Sequence, residues 1–232
     1  MVMERKISKE KYLLAAFITL AIFLLGMFLG LVIEGKRLGY MQSVADQQKL
    51  EFGSLQLQYQ YITELGEEKS CPAVLATFEK YMETLVKSQE RLTGYENDAK
   101  INKDEFRLLK QDYTQAELNF WLLSKKVKDI CKKDVVNILY FYSSDTQCPD
   151  CEKQSFILSY LKQKFQDKLL VFAIDETLDI EPMVNILKET YNITKYPSLV
   201  IEDKTFSGFV ENDAILKEIC SHYSNKTIDE CK

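Results

Sequence analysis

The sequence contains a single histidine, His222, and no stripe of basic residues. A functional imidazole usually needs charged or polar partners, and this isolated histidine near the C-terminus has no evident ones. Nucleic-acid binding requires clustered lysines and arginines, whereas this chain has a formal net charge of -5. The composition therefore predicts no nucleic-acid partner, and it offers no basis for a metal site or an organic cofactor.

Long uncharged apolar runs are also scarce, and the longest is residues 12–33. A helix needs ~20 such residues to cross the hydrocarbon core of a membrane. A secretory signal has a shorter apolar stretch followed by a small-residue cleavage site, and neither feature is evident here. An apolar surface on all sides also disfavours a buried core helix of a soluble protein. The segment therefore predicts a retained transmembrane helix in contact with membrane lipid.

The basic residues on either side of this segment predict its orientation. Those before it are Arg5, Lys6, Lys9 and Lys11, and those close behind it are Lys36 and Arg37. Because positive residues tend to remain in the cytoplasm, residues 1–11 are predicted inside and everything after residue 33 outside. Gly26 and Gly30 have the spacing that lets two membrane helices approach closely, which is a weak indication of a homodimer.

Residues 34–133 show helical periodicity, with apolar positions at alternating spacings of three and four. The stripes cover residues 38–62, 74–85 and 106–130, a pattern typical of a coiled coil or of the core of a helical hairpin. A stalk that holds the next domain off the membrane and a self-contained antiparallel bundle both fit this pattern.

The boundaries of the predicted hairpin come from local signals. Pro72 suits the first turn of the middle helix. Residues 94–100 are predicted to form the turn, and Asn102 with Glu105 resembles a capping pair for the following helix.

The chain has six cysteines, an even number that fits disulfide pairing in an oxidising compartment. The sequence midpoint of Cys71 and Cys131 is Ile101, just past the end of the predicted turn, so the two could face each other at the far end of the hairpin, and we expect a structural disulfide between them. Cys220 and Cys231 are candidates for a second structural disulfide, although a free thiol at Cys231 also fits the sequence.

The periodicity changes at Asp134, and the order β-α-β-α-β-β-α is predicted from there on. Predicted strands are residues 135–142, 168–174, 197–202 and 204–210; predicted helices include residues 157–165, 181–191 and 211–223. Pro182 suits the first turn of the second of these helices, and Gly208 is placed near the middle of the last strand. The segment Cys148-Pro149-Asp150-Cys151 lies between the first strand and the first helix.

Residues 134–223 resemble the thioredoxin-like superfamily. The resemblance is carried by the element order, by the C-x-x-C of Cys148 and Cys151 between a strand and a helix, and by Pro197 opening the third strand. It implies an α/β domain with a central mixed sheet flanked by helices, a cis peptide bond at Pro197 and a redox-active cysteine pair. The family binds protein substrates as an added strand beside this proline, which makes Tyr196 and Pro197 the substrate-binding candidates.

The chemistry expected of the cysteine pair is thiol–disulfide exchange, which requires a thiolate. A cysteine at a helix N-terminus faces unpaired N–H groups and the positive end of the helix dipole, and both favour the anion. Cys148 is therefore expected to be the exposed nucleophile, and Cys151, one turn later, would resolve the mixed disulfide. Pro149 suits the first helical turn, while the charge of Asp150 (and of nearby Asp145) opposes the thiolate.

Two departures from thioredoxin proper leave the direction of electron flow open. Gln147 stands where thioredoxin usually has tryptophan, and the first strand offers only Asn137, Tyr140 and Tyr142 where the family keeps a buried acid. Oxidation, reduction and isomerisation all remain open.

Taken together, the sequence predicts a membrane-anchored, extracytoplasmic thiol–disulfide oxidoreductase acting on thiols and disulfides of exported proteins. A membrane electron-transfer partner would recharge the pair. The predicted organisation is a cytoplasmic N-terminus at 1–11, a transmembrane helix at 12–33, a helical stalk or bundle at 34–133 and a thioredoxin-like domain at 134–232.

Three other interpretations compete with this one. In a non-enzymatic membrane adaptor, the stalk would bind a partner and the redox-like domain would be a scaffold. In the second interpretation, the disulfide between Cys148 and Cys151 is structural or vestigial. Zinc binding is the third, but one C-x-x-C supplies only half of the ligands of a structural zinc site.

Overall fold

The computed structural model describes residues 9–64, 67–96, 103–144, 146–224 and 229–231. The chain forms two compact units, Met1–Leu57 and Gln58–Lys232. The sequence-based expectations for Arg5, Lys6, Asn102 and Asp145 lie outside the described residues.

The first unit is built by helix α1, which spans Lys9–Glu64 and ends in the second unit. Its segment Tyr12–Leu31 has a mean hydropathy of 2.6 and is wholly unburied. Among the described residues, this is the one helix long and apolar enough to cross a membrane. Length and composition are the whole basis for that assignment, and a signal sequence has the same properties. Orientation and membrane retention therefore stay predictions.

The second unit contains an antiparallel pair of helices, α2 (Glu67–Glu96) and α3 (Lys103–Cys131). A disulfide joins Cys71 to Cys131 near one end of the pair. Phe78 stacks on Phe120 with ring centroids 4.5 Å apart, and the Ser88 hydroxyl donates to Asp112 at 3.0 Å. Contacts run toward lower numbers on α3 as they run toward higher numbers on α2, so the helices are antiparallel.

Two predicted features of this hairpin are wrong. Pro72 lies inside α2 and not in its first turn, because the helix extends upstream to Glu67. Residues 94–96, predicted to turn, belong to α2 as well. The helical cost of Gly94, about 1 kcal/mol, is not enough to end a helix that packs along its length. The rest of the predicted turn, residues 97–102, lies outside the described residues.

The remaining elements form a mixed sheet flanked by helices, which confirms the predicted order and fits a thioredoxin-like fold. The strands are β1 (Val136–Tyr142), β2 (Leu169–Asp175), β3 (Ser198–Ile201) and β4 (Lys204–Ser207), in the spatial order β2-β1-β3-β4. β1 and β2 are parallel, and the other pairs are antiparallel. The helices are α4 (Cys151–Phe165), α5 (Pro182–Thr190) and α6 (Asn212–His222).

The two faces of the sheet pack against different helices because side chains alternate along a strand. On one face, Ile138 and Tyr140 join a buried cluster with Leu161 of α4 and Ile215 of α6. On the other face, α3 packs directly on the sheet. The ring centroids of Phe120 and Phe172 are 5.9 Å apart, and the Ser124 hydroxyl donates to Asn137 Oδ1 at 2.7 Å.

The packing of α3 on the sheet was not predicted. α3 shares a buried surface with β1 and β2 as well as with α2. A coiled coil with a second chain and the predicted domain boundaries stay predictions.

Gly208 also lies elsewhere than predicted. β4 ends at Ser207, so Gly208 follows the strand, and its φ of +85° is a left-handed conformation that glycine adopts without steric cost. In this position its N–H donates to the carbonyl oxygen of Pro197 at 2.8 Å. The segment after β4 is thereby fixed to the proline loop.

Candidate redox site

The predicted cysteine pair lies in the loop between β1 and α4. The Ser144 carbonyl oxygen accepts from the N–H of Gln147 at 2.8 Å and from that of Cys148 at 2.9 Å. The Cys148 carbonyl oxygen accepts from the N–H of Cys151 at 3.2 Å. Two successive turns therefore carry the chain from the strand to the helix, and both are closed by backbone hydrogen bonds.

Cys148 and Cys151 form a disulfide, with their Cα atoms 5.3 Å apart. The helix, however, begins at Cys151 and not at Cys148, so Pro149 and Asp150 form the turn ahead of it. The physical reason is that a residue before proline disfavours the helical conformation, which places Cys148 outside α4. The first turn of α4 therefore starts at Cys151, whose own N–H is paired with the Cys148 carbonyl oxygen.

The expectation that Cys148 is exposed is also wrong in this disulfide form. Cys148 is 2% exposed and Cys151 6% exposed, and both belong to the buried cluster that includes Tyr140, Leu199 and Val210. Disulfide sulfurs need no strong hydrogen bonds, so the pair can pack as a small apolar group. Any reaction with a protein partner must begin with a change that exposes one sulfur.

A cavity of about 580 Å³ lies beside the cysteine loop. It is lined by Cys151, Tyr140, Tyr142, Ala173, four further hydroxyl residues (Ser143, Ser144, Ser155 and Thr177) and three charged residues (Lys110, Glu152 and Asp175). The Tyr140 hydroxyl donates to the Cys151 carbonyl oxygen at 2.7 Å, and burial raises the pKa of Tyr140 to about 12. This phenol therefore stays protonated and anchors the start of α4.

The cavity also contains a residue from outside the predicted redox domain. Lys110 of α3 forms an ion pair with Asp175 at the end of β2. Burial would raise the pKa of Asp175, but hydrogen bonds from Lys110 and Thr177 hold it below its usual range. The helix pair thus contributes a charged side chain to the surroundings of Cys151.

The proline loop carries the two substrate-binding candidates named from the sequence, Tyr196 and Pro197. The Tyr196–Pro197 peptide bond is cis, and Pro197 is buried directly before β3. Tyr196 packs against the buried cluster that contains Cys148 and Cys151. Of the two substrate-binding candidates named from the sequence, Tyr196 is therefore the one that the structure places against the cysteine-containing cluster.

The acid between the cysteines has a local partner. Lys153 donates to an Asp150 carboxylate oxygen at 3.0 Å on the exposed side of α4. This ion pair weakens the unfavourable effect on a thiolate that was expected from Asp150, although exposed pairs contribute little energy.

The other four cysteines lie in two further disulfides, Cys71–Cys131 and Cys220–Cys231. Their sequence separations are 60 and 11 residues. Among the described residues no cysteine is free. The structural role expected for these two pairs remains a prediction.

The sequence reasoning missed a buried acid, Glu117 of α3, which is 3% exposed. One of its carboxylate oxygens accepts from the Ala173 N–H of β2 at 3.2 Å. Burial raises its pKa to about 8, although hydrogen bonds with Ala173 and Tyr113 oppose the shift. The only signal in the sequence is a charged residue between Ala116 and Leu118 in an apolar stripe.

Comparison with known proteins gives weak likenesses. No protein-family model matches the chain, and no curated protein matches it. Among solved structures, a malarial protein matches with 17% identity over 38% of this chain and 97% of its own, at a TM-score of 0.32. Chloroplastic thioredoxin z matches with 20% identity over 43% of this chain and 88% of its own, at a TM-score of 0.33. The germline-specific thioredoxin Deadhead of Drosophila melanogaster matches with 21% identity over 45% of this chain and 92% of its own, at a TM-score of 0.33. Likeness this low carries no conclusion about activity.

Proposed function

We propose that this chain is a membrane-anchored thiol–disulfide oxidoreductase that exchanges disulfides with exported proteins outside the cytoplasm. The observation that carries the proposal is the Cys148–Cys151 disulfide between β1 and α4, in one cluster with Tyr196. A pair this close in sequence encloses too short a loop to stabilise the fold strongly, so chemistry is the better explanation for it.

The proposed reaction conserves sulfur bonds and electrons. In the reduced protein, the Cys148 thiolate attacks a substrate disulfide, which forms a mixed disulfide and releases one substrate thiolate. The Cys151 thiolate then attacks Cys148, which restores the Cys148–Cys151 bond and releases the second substrate thiolate. Two electrons pass from the protein to the substrate; the reverse sequence oxidises a substrate dithiol.

Access to the sulfurs requires the cysteine loop to rearrange. Cys148 precedes α4 and is held by turn hydrogen bonds with Ser144 and Cys151, so its loop can move without unfolding the helix. A bound protein segment beside Pro197 would lie next to the same loop. This makes docking of the substrate the natural trigger for exposing Cys148.

The membrane part of the proposal rests on the sequence. The apolar segment at 12–33 would anchor the chain in lipid, and the basic residues before it favour a cytoplasmic N-terminus. Three disulfides in one chain suit an oxidising compartment. A membrane electron-transfer partner would then recharge the cysteine pair, and the anchor helix could support a homodimer.

One observation favours the second candidate, a non-enzymatic membrane adaptor. Both cysteines of the pair are buried, at 2% and 6% exposure, as expected of a structural bond. In that case the redox-like domain would be a scaffold and its sulfurs would not exchange with other proteins.

Insulin reduction by the full chain, supplied with a dithiol reductant, separates the two candidates. The oxidoreductase should accelerate the reaction, and Cys148→Ser should abolish the acceleration. The double variant Cys220→Ser/Cys231→Ser, which removes a different disulfide, should remain active. A wild-type protein that neither reduces insulin nor equilibrates the Cys148–Cys151 pair with glutathione would instead support the adaptor.

A further inference from the structure

The carboxylate of Glu176 connects the end of β1 to helix α5, whose Lys188 lies near Tyr196 of the proline loop. Glu176 directly follows β2, and its N–H donates to the Tyr142 carbonyl oxygen at 3.0 Å. One carboxylate oxygen accepts from the Ser143 hydroxyl at 2.9 Å, and the other accepts from Lys188 Nζ at 2.9 Å. Glu176 thereby connects the end of β1 to helix α5.

Each end of this connection reaches a residue next to the proposed chemistry. The Ser143 hydroxyl oxygen is 3.0 Å from the side-chain oxygen of Gln147, the residue before Cys148. Since a serine has one hydroxyl hydrogen, both contacts form when the Gln147 amide is turned over, so that its N–H group donates to Ser143 while Ser143 donates to Glu176. On the other side, Lys188 Nζ is 5.7 Å from the ring centroid of Tyr196, the residue before Pro197.

The charges in this network stabilise one another. Burial would raise the pKa of Glu176, but hydrogen bonds with Lys188, Ser143 and Tyr196 hold it below its usual range. Burial would lower the pKa of Lys188, but Glu176 and Tyr196 raise it. The side chains of Glu176 and Lys188 are 15% and 23% exposed, so solvent screens this pair less than a surface pair. Both groups are therefore charged at neutral pH.

We propose that Glu176 is a positioning residue that holds the cysteine loop and the proline loop in a fixed relation, and so sets how well a protein substrate docks. The proposal rests on the proposed function for its effect on catalysis. It assigns Glu176 no contact with the sulfurs; it acts through Gln147 on one side and Tyr196 on the other. Its effect should appear in substrate affinity and not in the reactivity of the thiols.

The kinetic test compares Glu176→Gln with Glu189→Gln, which removes the same charge from an exposed position beside Lys188. For Glu176→Gln we expect KM for a protein substrate to rise about tenfold, in keeping with the loss of one charged hydrogen bond. The kcat and the alkylation rate of reduced Cys148 should stay unchanged, and Glu189→Gln should match the wild type. An unchanged KM would overturn the proposal. So would a rise in KM that is accompanied by a lower kcat and by slower alkylation of Cys148.

A second measurement does not depend on activity. Amide hydrogen exchange in Glu176→Gln should accelerate in both residues 143–148 and residues 195–198, while the core strands keep wild-type protection. If neither loop changes, or if only one does, Glu176 does not couple them. Should Glu176→Gln fail to fold, Ser143→Ala interrupts the same connection without removing a charge and gives the same readout. A wild type inactive in disulfide exchange would defeat the proposed function alone, because hydrogen exchange would still decide the positioning role.

Discussion

Two disulfides in the second unit differ in the length of chain that they enclose. Cys71 and Cys131 are 60 residues apart and join the ends of α2 and α3, whereas Cys148 and Cys151 are 3 residues apart in the loop before α4. Closing a long loop removes much conformational entropy from the unfolded chain, and closing a short one removes little. The first bond is thus placed to stabilise the fold. The second encloses too short a loop to add much stability, and it lies in the buried cluster against which Tyr196 packs.

The largest effect on stability is expected from removing the Cys71–Cys131 disulfide, which encloses the longer loop. Replacing both Cys71 and Cys131 by alanine should lower the free energy of unfolding by about 4 kcal/mol, from the loop-entropy treatment of a loop this long. Urea unfolding of the variant measures the loss. Insulin reduction measured where the variant remains folded should match the wild type. Loss of that activity would show that this disulfide belongs to the reaction.

The buried carboxyl of Glu117 gives the next largest effect and tests whether α3 belongs to the stabilising region. Its pKa is raised from 4.5 to about 8, so folding favours the protonated form. This stabilisation is fully present below pH 4.5 and is lost as the pH rises toward about 8.

Glu117→Gln replaces the carboxyl by a neutral amide of the same shape, so the stability of this variant should not fall as the pH rises from 4.5 to about 8. It should be more stable than the wild type at alkaline pH by an amount on the order of 3 kcal/mol. Urea unfolding across this pH range measures the difference, and Glu79→Gln, at an exposed position on α2, serves as the control. If the wild type and Glu117→Gln lose stability equally with rising pH, Glu117 is not buried as described.

Removing the Cys148–Cys151 disulfide should have the smallest effect on stability and the largest effect on activity. The double variant Cys148→Ala/Cys151→Ala should lose about 2 kcal/mol or less of unfolding free energy from the broken bond, because the enclosed loop is so short. It should lose all disulfide exchange. Thermal unfolding and insulin reduction measured on the same samples test both halves. A destabilisation as large as that of the Cys71/Cys131 variant would mark the pair as structural.

The elements of the sheet could be predicted because their signals are local. The apolar, β-branched and aromatic run that includes Val136 to Tyr142 forms β1, and Pro182 begins α5 as expected. The position of α3 could not be predicted, because periodicity shows which face of a helix is apolar and not which element covers it. The buried state of Cys148 depends on a turn set by Pro149, which a motif of two cysteines does not describe.

The positioning network could be predicted least of all. Ser143 and Gln147 lie in the cysteine loop, whereas Glu176, Lys188 and Tyr196 come from three other places in the sequence, and they form no recognisable motif. In the sequence alone, Glu176 is one more acid after a strand. Only the parallel pairing of β1 with β2, which places both strand ends at one edge, brings its carboxylate beside the cysteine loop.

The site-resolved alkylation rate of the fully reduced full-length chain tests the central claim most directly. At slightly acidic pH, where ordinary thiols are protonated, mass spectrometry would follow each cysteine separately. We predict that Cys148 reacts first and much faster than the thiols from the other two disulfides, with Cys151 protected. A Cys148 no faster than Cys71 or Cys220 would contradict the assignment of this chain as a disulfide-exchange protein.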